Sequence, residues 1–396
     1  MSDNANANFT EEVRAFLATA LTDDLRRAGA LDAGIYAERP VAMAWHQKLN
    51  ARGWAVPAWP LAYGGTGWSA AEHRIFEREL TLADAPIITP NATRMVGPVV
   101  MAFGTAAQKD EYLPRIRSGE DWWAQGYSEP GSGSDLASLQ CRADRVGDEY
   151  RINGTKIWTT HAQWSNKMFA LVRTDNSGKP QRGITFLLFD LDLPGISIKP
   201  LISISGDHEL NQVFFDDVRV PVSGRLGDED DGWTVAKYLL QHERGGRHST
   251  RLGVRLQRLR ELSDDPATGA APLNAQSGFS ARLHSAEIAL ASLAAFESRV
   301  FGALDEGSTT GAMSSVLKIK AMELKQQITE LAIEAVDHYA LPYQPQARDW
   351  QAPAAPIGPG AALTAMPQYL NDRAASIYAG SNEIQRNILA KASLGL

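Results

Sequence analysis

The sequence predicts an α+β protein built in three segments: an N-terminal α-helical domain, a middle β-barrel or sandwich domain, and a C-terminal four-helix bundle. Three observations predict it. Apolar residues keep helical spacing over residues 11–119, strand-like runs dominate 121–227, and long helical repeats return after Gly232. The corresponding domain limits are 1–120, 121–230 and 231–396. A chain of 396 residues also exceeds what one hydrophobic core usually spans.

In the first segment Phe16, Leu25, Val41 and Leu49 are among the periodic apolar positions, with turns at 57–67 and near Pro86 and Pro90. Residues 108–116, ending before Ser118-Gly119, read as the last helix before the change of character. The middle segment has strand runs at 168–173, 183–189, 196–200 and 212–220. Within 148–158, Asn153-Gly154 predicts a two-residue hairpin turn. In the last segment Leu317, Ala321, Leu324, Ile328, Leu331 and Ala335 recur at alternating spacings of four and three, which makes a bundle seam. Leu283, Ala286, Leu290, Leu293, Phe296 and Val300 share a second face, and 233–262 and 367–391 complete a four-helix set. Residues 263–278 and the proline-rich 341–359 lack periodicity and read as loops, the second long enough to line a site or an interface.

Composition narrows the function classes. A formal net charge of −7 argues against nucleic acid or an anionic membrane as the main partner. Cys141 is the single cysteine, which excludes an intrachain disulfide framework and a Cys-rich zinc site, and the histidines lack metal-ligand spacing. No metal is expected. Residues 1–10 are polar, without the apolar core of a secretion signal or the arginine-rich character of a transit peptide, so a cytoplasmic location is expected. No run approaches the roughly 20 apolar residues of a membrane span.

Four motifs carry the chemistry. Tyr127-Ser128-Glu129-Pro130-Gly131-Ser132-Gly133-Ser134-Asp135 precedes Gly154-Thr155-Lys156-Ile157-Trp158-Thr159-Thr160; Phe214-Phe215-Asp216-Asp217-Val218-Arg219-Val220-Pro221 follows, and Ile377-Tyr378-Ala379-Gly380-Ser381-Asn382-Glu383-Ile384-Gln385-Arg386 lies near the end. Taken singly, the glycine-serine run is an ordinary turn, Trp158 a core residue and Ser381 a helix cap. In this order, over nearly the whole chain, they resemble the acyl-CoA dehydrogenase family of FAD enzymes. The segments 204–212 and 235–240 resemble bacterial members such as the large subunit of pimeloyl-CoA dehydrogenase.

A flavin ring needs a stacking surface and polar donors that a small-residue loop can bring close. The resemblance implies that Tyr127, Ser128, Gly133 and Ser134 lie beside the flavin, with Ser134 also facing the thioester or the cofactor phosphates. It implies that Trp158 packs on the ring and Thr160 donates near N5. Gly380, Ser381 and Glu383 would meet the cofactor, and the backbone N–H of Ala379 the thioester oxygen. The family's Arg-x-x-Phe-Gly contact to a neighbouring subunit's cofactor is not carried over, since Arg299-Val300-Phe301-Gly302 has a different spacing.

Ala379 stands where many members of the family have their catalytic glutamate. Isovaleryl-CoA and long-chain acyl-CoA dehydrogenases instead carry the base on the first bundle helix, immediately before an arginine. This chain has Glu243-Arg244 there. Glu243 is therefore the candidate α-proton base and Arg244 a candidate contact for the CoA portion; the competing role is a surface ion pair between them or their neighbours. His242 would point about 100° away from Glu243 on a helix, and His161 reads as a loop histidine.

The implied function is desaturation of an acyl-CoA to a trans-2-enoyl-CoA, within lipid metabolism, with an electron-transferring flavoprotein as acceptor. Two other classes compete. One is a noncatalytic or half-site partner subunit of a hetero-oligomer, which Ala379 favours; the other is a flavin monooxygenase or oxidase on the same fold. The family assembles through its bundle helices, so a homodimer or homotetramer is expected, with a partner chain as the alternative.

Overall fold

A computed structural model describes residues 2–243, 248–264, 272–305, 312–351 and 353–395. Helices α1 (Ser2–Ala20), α2 (Asp23–Leu31), α3 (Arg39–Arg52), α4 (Ala70–Leu82), α5 (Gly97–Phe103) and α6 (Ala106–Ser118) come first. Strands β1 (Trp123–Gly126), β2 (Arg142–Val146), β3 (Glu149–Lys156), β4 (Lys167–Arg173), β5 (Ile184–Asp190), β6 (Ile196–Leu201) and β7 (Leu210–Pro221) follow. The chain closes with α7 (Gly232–Glu243), α8 (Ser249–Asp264), α9 (Ser277–Asp305), α10 (Met313–Val336), α11 (Ala362–Asp372) and α12 (Asn382–Leu394).

Packing groups the chain differently from its order along the sequence. One compact unit takes Met1–Ala37, Trp68–Ile87 and Gly245–Leu396; the other takes Glu38–Gly67 and Ile88–Arg244. The N-terminal helices are thus divided between two cores.

In the second unit the sheet order is β1-β4-β2-β3-β7-β6, with β5 pairing β4 antiparallel. β4 and β5 are buried on both faces, which explains their nearly unbroken apolar sequences. Side-chain alternation divides them: Phe169, Leu171, Phe186 and Leu188 join a core with Ile116 and Leu239, while Met168, Ala170, Leu187 and Phe189 join a second core with Ile152 and Val213. α6 starts at a capping box, in which Thr105 accepts from Gln108 N–H and Gln108 returns the bond to Thr105 N–H.

In the first unit, the predicted seam on α10 is buried from Leu317 to Ala335, packed with Leu256 of α8 and Leu283 and Leu293 of α9. Asp372 at the end of α11 is 2% exposed and pairs with Arg255 of α8 at 2.8 Å and Lys325 of α10 at 2.5 Å. Both cations therefore neutralise one buried carboxylate.

Three sequence expectations change. Helix begins at Ser2, well before residue 11, because the polar start continues the first amphipathic helix. Asn153-Gly154 is not a hairpin turn but the site of a register shift inside β3, and the β2–β3 hairpin turns instead at Gly147-Asp148. Gly154 has φ 148°, and a Cβ there would lie 2.8 Å from Cys141 Cα; the glycine serves a bulge and a close strand approach. The 367–391 stretch is interrupted: Pro367 lies inside α11, and a short 3-10 turn at Arg373–Ser376 and a non-helical segment separate it from α12.

Candidate active site

The segment Tyr127–Ser134 leaves β1 as a tight loop closed on itself, with Glu129 and Ser132 exchanging both backbone hydrogen bonds at 2.8 and 3.0 Å. A buried charge holds it from below. Lys156, fully buried on β3, donates to Glu129 Oε1 at 2.7 Å and to the Tyr127 carbonyl at 3.1 Å. The Glu129 carboxylate also accepts from the Gln140 and Cys141 backbone N–H groups at 2.7 and 2.9 Å, so its acceptor capacity is well used. Burial pushes the neighbouring Cys141 thiol up to about 11, which leaves it an inert packing group.

Above this anchor the loop is bare. Gly131, Gly133 and Ser134 are exposed. A Cβ on Gly131 or Gly133 would meet nothing within 4 Å, and neither has positive φ, so the chain's own packing does not require glycine at either place. The missing side chains keep the loop's backbone approachable, as a flat ring with polar edges demands.

Trp158 is the other half of this surface. Its φ is 58°, a left-handed conformation seldom adopted by a bulky residue, and it is 59% exposed. The backbone around it is pinned: Ile157 N–H donates to Ser128 O, Thr159 N–H to Asn211 O, and His161 N–H to Glu209 O, all within 2.8–3.0 Å. The Asn211 side chain returns a bond to Thr159 O at 3.1 Å. Thr160 is half-buried beside it. His161 is a turn residue, as expected, and is fully buried with φ 58°; burial pushes its imidazole down to about 4.

The first unit carries Ala379, Gly380, Ser381 and Glu383. Between the 3-10 turn and α12, Ala379 and Gly380 both lie in the left-handed region, with φ 53° and 79°. Ser381 caps α12, its hydroxyl accepting from Ile384 N–H at 3.4 Å. The Glu383 carboxyl falls below its usual range because it accepts from its own backbone N–H and from Ser381. Among the described residues, the Ala379 N–H has no acceptor within the protein.

The acyl-CoA dehydrogenase N-terminal domain matches residues 4–120, the middle domain 124–218 and the C-terminal domain 230–394. Acyl-CoA dehydrogenase IpdE1 of Mycobacterium tuberculosis is 36% identical over 369 residues, covering 89% of this chain and 87% of that protein. The chain belongs to the acyl-CoA dehydrogenase family. Among solved structures, the steroid ACAD Tcur3481-Tcur3483 is similar with a TM-score of 0.84 and 28% identity, covering 99% of this chain and 98% of that one. The ChsE4-ChsE5 complex of Mycobacterium tuberculosis is similar with a TM-score of 0.83 and 29% identity, covering 99% and 97%.

The family membership makes the chain an oxidoreductase with the three-domain acyl-CoA dehydrogenase architecture, and FAD is the cofactor of that family. The bare loop and exposed Trp158 fit such a ring. Among the described residues no helix is long and apolar enough to cross a membrane, and no cluster could hold a metal ion. Glu243 closes α7, but its side chain lies outside the described residues, as does Arg244 altogether. Reading the sequence missed the Glu129–Lys156 anchor, although Lys156 shares the buried alternate positions of Tyr150 and Ile152 on β3. It also missed Asn211, for which the sequence carries no local signal.

Proposed function

We propose that the chain desaturates an acyl-CoA thioester, with Glu243 removing the α-proton while the β-carbon gives up hydride. FAD, when bound, supplies the two-electron acceptor for that hydride at N5. Trp158 would offer its exposed face to the ring, Thr160 its hydroxyl to the edge near N5, and Ser128, Gly133 and Ser134 their polar groups to the loop side. Gly380, Ser381 and Glu383 would hold further parts of the cofactor at the start of α12, and Arg244 would meet the CoA portion.

The observation that carries this reading is the Ala379 turn. Its backbone N–H, which meets no acceptor among the described residues, suits the developing enolate oxygen, which needs a donor already in place. A methyl side chain cannot take a proton, so the base must come from elsewhere, and Glu243-Arg244 matches the pattern of relatives that carry it on the first bundle helix. The acyl group we favour bears a steroid ring system, on the similarity to the steroid ACAD. An electron-transferring flavoprotein is the proposed acceptor.

A half-site subunit is the second reading, favoured by Ala379 and by the similarity to the two-protein ChsE4-ChsE5 complex. One anaerobic titration separates them. The flavin-loaded chain, alone and with candidate partner subunits, receives straight-chain and steroid-bearing acyl-CoA esters while flavin absorbance is followed. Bleaching by the chain alone supports the complete enzyme; bleaching only with a partner supports the half-site. Glu243→Gln is expected to slow reduction by about a thousandfold while flavin and thioester still bind, because the amide is isosteric but not basic. Reduction at the wild-type rate would remove Glu243 from the mechanism.

A further inference from the structure

We infer that Gln385 and Ser315 are positioning residues for the reaction, holding the Ala379 turn so that its N–H is presented to the thioester carbonyl. This rests on the role proposed above for Ala379. A turn with two successive left-handed residues, the first of them alanine, is not held by its own backbone: Ala379 and Gly380 use neither N–H within the protein among the described residues.

Side chains hold it instead. Gln385, 3% exposed on α12, reaches back with its amide Nε2 to the Ala379 and Gly380 carbonyls, both at 3.4 Å. A single donor group shared by two long bonds grips loosely unless its direction is fixed. Ser315 of α10 fixes it: completely buried, its hydroxyl donates to Gln385 Oε1 at 2.7 Å. That bond turns the oxygen toward α10 and the NH2 toward the turn. With the amide reversed, its oxygen would face two carbonyl oxygens and three acceptors would crowd together. Gly380 completes the fit, since a Cβ there would lie 2.5 Å from Gln385 Nε2. The hydroxyl of the preceding Tyr378 accepts from Lys325 Nζ at 3.4 Å. The carbonyls of Ala379 and Gly380 are thus held by one neutral amide whose direction Ser315 sets.

Direction of the N–H and binding of the thioester are separable. Parts of the substrate remote from the carbonyl can contribute affinity without it, whereas carbonyl polarisation depends on how well the N–H is aimed. The test uses the complete, flavin-loaded protein carrying Gln385→Met or Ser315→Ala. Two quantities are read: the rate of flavin reduction at saturating acyl-CoA, and the C=O stretching frequency of a bound, non-reducible thioester.

Expected are a reduction rate lowered roughly ten- to hundredfold for Gln385→Met and less for Ser315→Ala. Thioester affinity should change less than about threefold, and the stretch should move back toward that of free thioester. Ser315→Thr, which keeps the hydroxyl, should restore both. If wild type reduces flavin and polarises the carbonyl but both variants match it, the positioning role is overturned while the proposed reaction stands. If wild type shows no polarised carbonyl, the role of Ala379 fails and this inference fails with it. Should Gln385→Met not fold, Ser315→Ala, which deletes one oxygen, decides the matter alone.

Discussion

Trp158 and Ala379 are both non-glycine residues in the left-handed region, at φ 58° and 53°, yet they are held in opposite ways. Trp158 continues from a strand. Its neighbours find backbone partners on β7 and in the Tyr127–Ser134 loop, and a buried ion pair braces that loop. Ala379 lies between helical segments, whose backbone groups are satisfied within themselves. Among the described residues, side chains hold the turn's two carbonyls, and these, Gln385 braced by Ser315, are neutral. A sheet lends backbone to a strained residue beside it, whereas a bundle must spend side chains.

The sharpest way to break this contrast is to discharge one anchor. Glu129→Gln leaves the Lys156 ammonium buried beside an amide, and a loss of about 3–5 kcal/mol of folding stability is expected in urea unfolding. Adding Lys156→Met should recover part of it. A loss below about 1 kcal/mol would mean that the backbone ladder alone holds the loop.

Next in size is a pH effect within the same unit. Folded His161 takes a proton only near 4, while in the unfolded chain it does so near its ordinary 6.5. The unfolded state therefore binds more protons between those values, and stability falls as pH drops through that window, by roughly 3 kcal/mol in all. His161→Asn tolerates the same positive φ and removes the titration. Its stability should decline less from pH 6.5 to 4; parallel curves would show that other groups carry the acid sensitivity.

The neutral anchor should cost less to break. Ser315→Ala leaves Gln385 Oε1 buried without its donor, and a loss of about 1–2 kcal/mol is expected, measured by the same unfolding. Equal losses at Ser315 and Glu129 would erase the distinction between charged and neutral bracing. Smallest is Ser381→Ala, which removes the α12 cap for about 1 kcal/mol. Thermal melting that shows no change would mean that packing, not the cap, sets the start of α12.

Much of the fold was legible. The α10 seam is buried at the positions its spacing predicts, and β4 to β7 lie close to their apolar runs. Asn153-Gly154 misled because the same dipeptide suits a hairpin turn and a bulge, and the choice depends on the approach of Cys141 from the neighbouring strand. Pro367 misled in the same manner: it suggested a helix start, and α11 carries it inside.

The order of helical and strand segments, the motifs that place the chain among acyl-CoA dehydrogenases, and the absence of a carboxylate at position 379 are all written in the amino-acid sequence. These are local properties of periodicity and residue type. Folding in three dimensions divides the N-terminal helices between two cores, brings Lys156 to Glu129 at one loop, and sets Ser315 against Gln385 at the other. Such pairings join residues far apart along the chain, and their energies depend on burial and direction, which no local pattern encodes.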